Sequence, residues 1–187
     1  MSGSTTRHSG RPCARIGADG SNATLLGDAD SFDVEPRISP DGGQVAFMRV
    51  HPEANYAVDI VVRDLASGDG RVVVPLDFPV EHPEWSPDGN SLVFNAQDGT
   101  PNAATIYTID LNAHDAAPVV LLDPASGEGW GGVKPVYSPD ASRIVFVCNR
   151  GGDEGICIMN ADGMNVTTLV DDPGVAENHP TWGPAAQ

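Results

Sequence analysis

One turn written three times constrains this chain more than any other feature. Ser-Pro-Asp recurs at Ser39, Ser86 and Ser138, in "RISPDGGQVAF", "EWSPDGNSLVF" and "VYSPDASRIVF", at spacings of 47 and 52 residues. A fourth, altered copy closes the chain: "HPTWGP" echoes "HPEWSP" and puts Gly183 45 residues after Ser138. Such a period matches a four-stranded propeller blade, about 40 to 50 residues. Each period also reads as strands. After the first turn come "QVAFMR", "VDIVVRDL" and "RVVVPL"; after the second, "SLVFNA", "TIYTIDL" and "APVVLLD"; after the third, "RIVFVC", "GICIMN" and "NVTTLV". These runs are short, rich in β-branched residues and divided by Gly, Asn, Asp and Pro, the mark of an antiparallel meander. No segment sustains a 3.6-residue apolar period, so helices are expected to be nearly absent.

The chain starts in mid-repeat. "GADGSNATLL" (17–26) aligns with "NADGMNVTTLV" (160–170), and "TTRHSGR" (5–11) resembles "VCNRGGDE" (147–154). The N-terminus thus supplies the last strands of a unit and "HPTWGP" the first strand of one. The expected fold is an all-β propeller of four-stranded antiparallel blades, four repeat units per chain, with the last blade shared between the two termini. The single domain 1–187 divides into 1–34 (end of the split blade), blades at 35–81, 82–133 and 134–178, and 179–187 (first strand of the split blade). Pairing the ends removes open strand edges. Closure within one chain gives a four-bladed monomer, and closure between two gives an eight-bladed homodimer. A piece of a larger propeller is the third option.

Composition narrows the partner. With 26 acidic and 10 basic residues the net charge is −16, which repels phosphate backbones and anionic lipid, so nucleic acid and membrane surfaces are poor partners and a basic protein or peptide is a better one. No apolar run is long enough to span a membrane. The Arg-bearing start, with Arg7, Arg11 and Arg15, has no apolar core and is not a secretory signal. Cys13, Cys148 and Cys157 suit neither a zinc site nor a disulfide framework. Cys148 and Cys157 could face each other across a hairpin, where a disulfide is feasible, but two buried free thiols are expected.

Asp41, Asp88 and Asp140 are tempting carboxylates, yet Ser-Pro-Asp-Gly is turn chemistry: Pro presets φ, Asp bonds nearby backbone and Gly takes φ > 0. Ala141 replaces that Gly in the third copy and should be strained. Trp85 and Trp182, with Ile38 and Tyr137 at the same repeat position, read as bulky residues packed between units.

"HPEWSPDGNSLVFNA…TIYTIDL" and "PVYSPDASRIVFVCNRGGDEGICIMNADGMNVTTLV" resemble the WD-like repeats of TolB-type β-propellers, from about Thr5 to Pro184. The motif of that family runs P-x-W-S-P-D-G, an apolar strand, N-R-x-G, I-Y-x-M and A-D-G. The resemblance implies an exported or periplasmic bacterial protein that binds other proteins. The chain departs from the usual pattern in showing no α/β segment before the repeats and fewer than six units.

Candidate chemistry gathers one residue before each blade's Pro: Glu35, His82, Lys134 and His179. In a propeller these lead into the innermost strands and should ring one mouth of the channel. Two His and a Glu suit a divalent metal, whereas Lys134 opposes one, so a polar rim with no cofactor is expected and a metal is the lesser alternative. Trp130, in "GEGWGG" (127–132), either anchors a partner from an exposed loop or folds back on its blade. "NADGMN" (160–165) and "DADSFD" (28–33) only loosely resemble calcium loops. No nucleophile elbow, zinc-protease motif or phosphate loop is present. The function expected is a non-enzymatic protein- or peptide-binding scaffold with no catalytic residues. The alternative is a metal-bearing propeller lyase, or the propeller part of a prolyl-oligopeptidase-like hydrolase.

Overall fold

The computed structural model describes residues 13–28, 30–75, 80–97, 104–113, 115–126, 130–149, 154–172, 174–175 and 177–183. The strands are β1 (Ala14–Arg15), β2 (Thr24–Leu25), β3 (Phe32–Ile38), β4 (Gln44–His51), β5 (Ala57–Asp64), β6 (Gly70–Pro75), β7 (Val80–Trp85), β8 (Ser91–Gln97), β9 (Ala104–Asp110), β10 (Val119–Leu122), β11 (Gly131–Tyr137), β12 (Arg143–Asn149), β13 (Glu154–Asn160) and β14 (Thr167–Val170). The only helical elements among the described residues are 3-10 turns at Pro52–Ala54 and Pro124–Ser126, and no helix there is long and apolar enough to cross a membrane.

β3 to β6, β7 to β10 and β11 to β14 form three sheets, each pairing its strands antiparallel in chain order. β3, β7 and β11, the first strand of each, lie side by side, so the blades fan outward from a common inner edge. The second strand of a blade is buried on both faces. Val45 and Phe47 of β4 join Leu26 and Val61 on one side, while Ala46 and Met48 join Phe94 and Trp85 on the other. Leu92 and Phe94 of β8 lie on that same interface, while Val93 faces Ile106, Ile144 and Phe146 toward the third blade. Burial on both faces explains why these strands read as nearly unbroken apolar runs. Gly132 has no room for more: a Cβ there would lie 2.6 Å from Ile106 and 2.8 Å from Phe146.

Neighbouring blades are also pinned by hydrogen bonds. The indole N–H of Trp85 donates to the Arg37 carbonyl of the preceding blade at 2.9 Å, and that of Trp182 donates to the Val136 carbonyl at 3.1 Å. Tyr137 reaches its neighbour through its hydroxyl, 3.2 Å from Thr108 Oγ1. Ile38 is 45% exposed, and among the described residues the element ahead of it is the two-stranded hairpin β1–β2.

That hairpin, β1–β2, pairs Arg15 with Thr24, as β13–β14 pairs Ile158 with Thr167. It is the outer half of a blade, in the register that the repeat alignment requires. The equivalence drawn from residues 5–11 lies outside the described residues. Closure within one chain is corrected by the structure: the sheet is open, β1–β2 bond only each other among the described residues, and 179–183 carry no strand. Each end is instead held by its own neighbour, the hairpin through Leu26 and Cys13 against the first blade and Trp182 against the third. Counting strands does not set the angle between successive blades, and closure depends on that angle.

Cys148 and Cys157 form a disulfide and are not free thiols. Cys157 stands opposite Phe146 and Cys148 opposite Gly155, so the two sulfurs share one face of β12–β13 on a diagonal, with Cα atoms 5.6 Å apart. That separation is within bonding range. Asp28 and Asp33 of the loose calcium pattern are taken by arginines: Arg49 grips Asp33 at 2.9 Å, and Arg63 reaches Asp28 at 2.8 Å.

The repeated turn is built around its serine. In the second copy Ser86 Oγ donates to Asp88 Oδ1 at 2.6 Å and accepts from the Ser91 N–H at 3.0 Å, while Asp88 also accepts from the Asn90 N–H. Ser39 and Ser138 repeat the pattern, and all three serines are buried. Ala141 sits at φ 59°, the left-handed region that Gly42 and Gly89 occupy in the other copies, as its sequence position predicts. The Ser hydroxyl and backbone N–H groups hold Asp41 and Asp88 below the ordinary carboxylate range and bring Asp140 down to about 2.

Two outcomes follow from this hub. Ser86→Ala leaves the Ser91 N–H without its partner and should destabilise the fold by about 1–3 kcal/mol, read as a lower urea midpoint. Carboxylates depressed when folded stabilise above their unfolded pKa, 3.8, so the contribution of Asp140 is complete above that value and lost as the pH falls through about 2. Urea midpoints between pH 7 and pH 2 should drop mainly across that window, and Asp140→Asn should flatten part of the drop.

Candidate functional site

The inner strands carry the same defect three times. β3 skips register between Val34 and Arg37, β7 between Glu81 and Glu84, and β11 between Val133 and Val136. In each case two residues oppose one Phe: Glu35-Pro36 face Phe47, His82-Pro83 face Phe94, and Lys134-Pro135 face Phe146. The first bulge residue is left-handed every time, Glu35 at φ 52°, His82 at 55° and Lys134 at 55°, and His179 takes 55° without a ladder. A non-Gly residue in that region costs about 1–3 kcal/mol. Since Glu, His and Lys all adopt it, the conformation belongs to the fold and not to one side chain. Its effect is to re-aim that side chain and terminate regular pairing on the inner strand.

The four residues chosen from sequence are thus alike in backbone, but their side chains group in pairs. His82 Nδ1 lies 2.8 Å from Glu35 Oε2 across the first junction between blades. The atoms are within ion-pair range without the alignment of a directional hydrogen bond. Contact with His82 lowers the Glu35 carboxyl below its usual pKa, against the opposite effect of burial. Lys134 turns toward the C-terminal segment, its Nζ donating to Asn178 Oδ1 at 2.6 Å, and the same oxygen accepts from the His179 N–H at 2.9 Å. His82 and His179 are not brought onto one point, and among the described residues no group of three or more His, Cys, Asp or Glu is arranged to hold a metal.

The Thr108–Tyr137 pair across the same junction involves the far end of β11, and between His82 and Lys134 themselves there is no side-chain bond. The link there is Asn95, fully buried on β8, whose Oδ1 accepts from the Lys134 N–H at 3.0 Å and whose Nδ2 lies 3.4 Å from Glu81 Oε2. Sequence reasoning passed over Asn95. Its one signal is an amide at the centre of the apolar run "SLVFNA". Beside it a cleft of about 210 Å³ opens between the second and third blades, on the end away from the Ser-Pro-Asp turns, lined by Glu81, His82, Gln97, Lys134 and Glu154 among others.

Trp130 is not the exposed loop anchor that its Gly-rich setting allows. It is 8% exposed and packs in the core with Ile106, Ile144 and Phe146, so the indole closes the interface between the second and third blades. Residues 127–129 of that loop lie outside the described residues.

Comparison with known proteins agrees with the fold. The family model for the TolB beta propeller domain matches residues 12–187. The Tol-Pal system protein TolB of Anaeromyxobacter sp. (strain K) is 30% identical over 125 residues, covering 66% of this chain and 26% of that protein. The chain therefore spans about a quarter of the curated relatives it matches. Among solved structures, a putative TolB from Agrobacterium tumefaciens superposes with a TM-score of 0.67 at 19% identity, over 87% of this chain and 57% of that one. An oligogalacturonate lyase from Vibrio parahaemolyticus superposes with a TM-score of 0.61 at 19% identity, over 84% and 46%. Likeness at that identity carries the fold alone. With its family matched across nearly its full length and its blades in the expected topology, this chain belongs to the TolB beta propeller domain family.

Proposed function

We propose that this chain is a non-enzymatic propeller that binds a protein or peptide at the channel mouth marked by Glu35, His82, Lys134 and His179. The observation that carries the reading is the repeated left-handed bulge. The units repeat their turn serines, their inner-strand Pro and their core Phe, yet at the one position which the bulge re-aims they carry Glu, His, Lys and His. Positions alike in every unit serve packing, and positions that differ at one end of an array are where recognition can reside. A relative named for the Tol-Pal system supports a role in assembly with other proteins. The net charge of −16 favours a basic partner. The Cys148–Cys157 disulfide favours an oxidising compartment, so the chain is read as periplasmic or extracellular.

Peptide display on the disulfide-intact protein tests the reading. Selected peptides should lose tenfold or more in affinity when His82, Lys134 and His179 are changed to Ala together, and should be unaffected by Arg143→Ala at the opposite end. Equal binding by the triple variant would remove the mouth as the contact face. The reading also assigns no cofactor. Elemental analysis of protein purified without chelator should find less than stoichiometric divalent metal, whereas one ion per chain, lost in His82→Ala with His179→Ala, would replace it with the metal-bearing lyase reading.

A further inference from the structure

The cleft between the second and third blades is built for more than a gap in packing, and we infer that it is a subsite for one arginine side chain of the bound partner. This rests on the peptide-binding reading and adds the chemistry of one contact. Its two carboxylates come from opposite walls: Glu81 lies on β7 of the second blade and Glu154 on β13 of the third. Among the described residues neither pairs with a cation: Glu81 is approached by the Asn95 amide at 3.4 Å, and Glu154 forms no ion pair. Three arginines of the first blade, by contrast, are matched to acids, Arg37 to Glu84, Arg49 to Asp33 and Arg63 to Asp28, while Arg71 donates to the Leu111 carbonyl. Among the described lining residues, Lys134 directs its ammonium to Asn178 beyond the third blade, and His82 commits Nδ1 to Glu35. Among the described residues the cleft is left with two unneutralised acceptors and the Gln97 amide, with Gly131 and Gly132 also in its lining.

Size and donor geometry select the ligand. At about 210 Å³ the cleft is smaller than the 300–1,000 Å³ of ordinary small-molecule pockets, which suits a single long side chain and not a folded loop. Acceptors on two walls call for several donors spread in a plane. Guanidinium offers five in a fixed fork, and ammonium offers three on a point charge. Arginine also keeps its methylene stem for the apolar part of the wall, where Val133, Val147 and Ala104 lie.

N-acetyl-argininamide is the probe, with N-acetyl-citrullinamide as its neutral isostere. In ¹⁵N-labelled protein the arginine probe should shift the amide signals of Gly131, Gly132 and Glu154 saturably, and the citrulline probe should not. Glu81→Gln and Glu154→Gln should each weaken binding about tenfold, and about 0.5 M NaCl should weaken it further. Thermal melts and the spectrum of the unliganded variants serve as controls for folding. Should a variant fail to fold, the salt series and the citrulline comparison on the unaltered protein still decide. Equal shifts from both probes, or undiminished binding by the folded variants, would overturn the subsite. Peptides that bind the mouth without an arginine and ignore both Gln variants would sink the subsite and leave the mouth standing. Saturable arginine binding with no selectable peptide would do the reverse.

Discussion

A four-stranded sheet of this size has two apolar faces and no interior, and that shortage governs the molecule. Every blade must be covered by its neighbours on both sides, so its central strand becomes apolar on both faces, as Val45, Ala46, Phe47 and Met48 are on β4. The core is therefore not a centre but a series of interfaces, one centred on Phe47, one on Phe94 and Trp85, and one on Phe146 and Trp130. Each interface is closed by residues of two blades. Gly132 shows how tightly, since even a methyl group would meet Ile106 and Phe146. Stability in such an array is a sum of unit and interface terms. The exposed Ile38 marks the interface where, among the described residues, the neighbouring unit is a two-stranded hairpin.

The same requirement separates the two ends of the blades. At one end the Ser hydroxyl of each turn is buried and doubly bonded, and its Asp is held ionised by local donors, which fixes the hairpin into the second strand. At the other end the inner strand must pass a Phe while leaving room for it, and the bulge that achieves this forces Glu35, His82 and Lys134 into left-handed geometry. Strain of that kind persists only where its surroundings enforce it. Here Phe opposite, Pro after and the blade ladder on either side do so identically in three units. The fold thus supplies a fixed mount, and the identity of the mounted side chain is free to vary without cost to packing.

Repetition made the blade order, the strand runs and the register of the outer half-blade legible in the sequence, because each is a local pattern compared with itself. The shared left-handed position of Glu35, His82, Lys134 and His179 was singled out the same way, by its place relative to Pro. What escaped was whatever depends on a second blade or a second strand. Ser39, Ser86 and Ser138 were credited with opening a turn, yet their hydroxyls are its hub, and a hydroxyl's partners five residues away are invisible to turn rules. Cys148 and Cys157 meet only through the diagonal of a paired hairpin. Trp130 was judged by the glycines beside it, while its burial is decided by Ile106 on another blade. Closure within one chain failed for the same reason, since it depends on an angle that no local pattern encodes.

The three junctions at the mouth then differ in a way that bears on recognition. The first is bridged by Glu35 and His82, whose Oε2 and Nδ1 lie 2.8 Å apart. The third is bridged by Lys134 and Asn178, which draws the only lysine of the chain away from the middle of the rim. The second is bridged below the surface by Asn95, which satisfies the Lys134 N–H that the bulge frees and so removes any need for a charged link above it. Among the described residues Glu81 and Glu154 form no ion pair. An acidic protein concentrates cations over its whole surface, but only where the fold withholds its own cations does that attraction become directional. The buried amide of Asn95, structural in itself, is what ties the second blade to the third at this end of the middle junction.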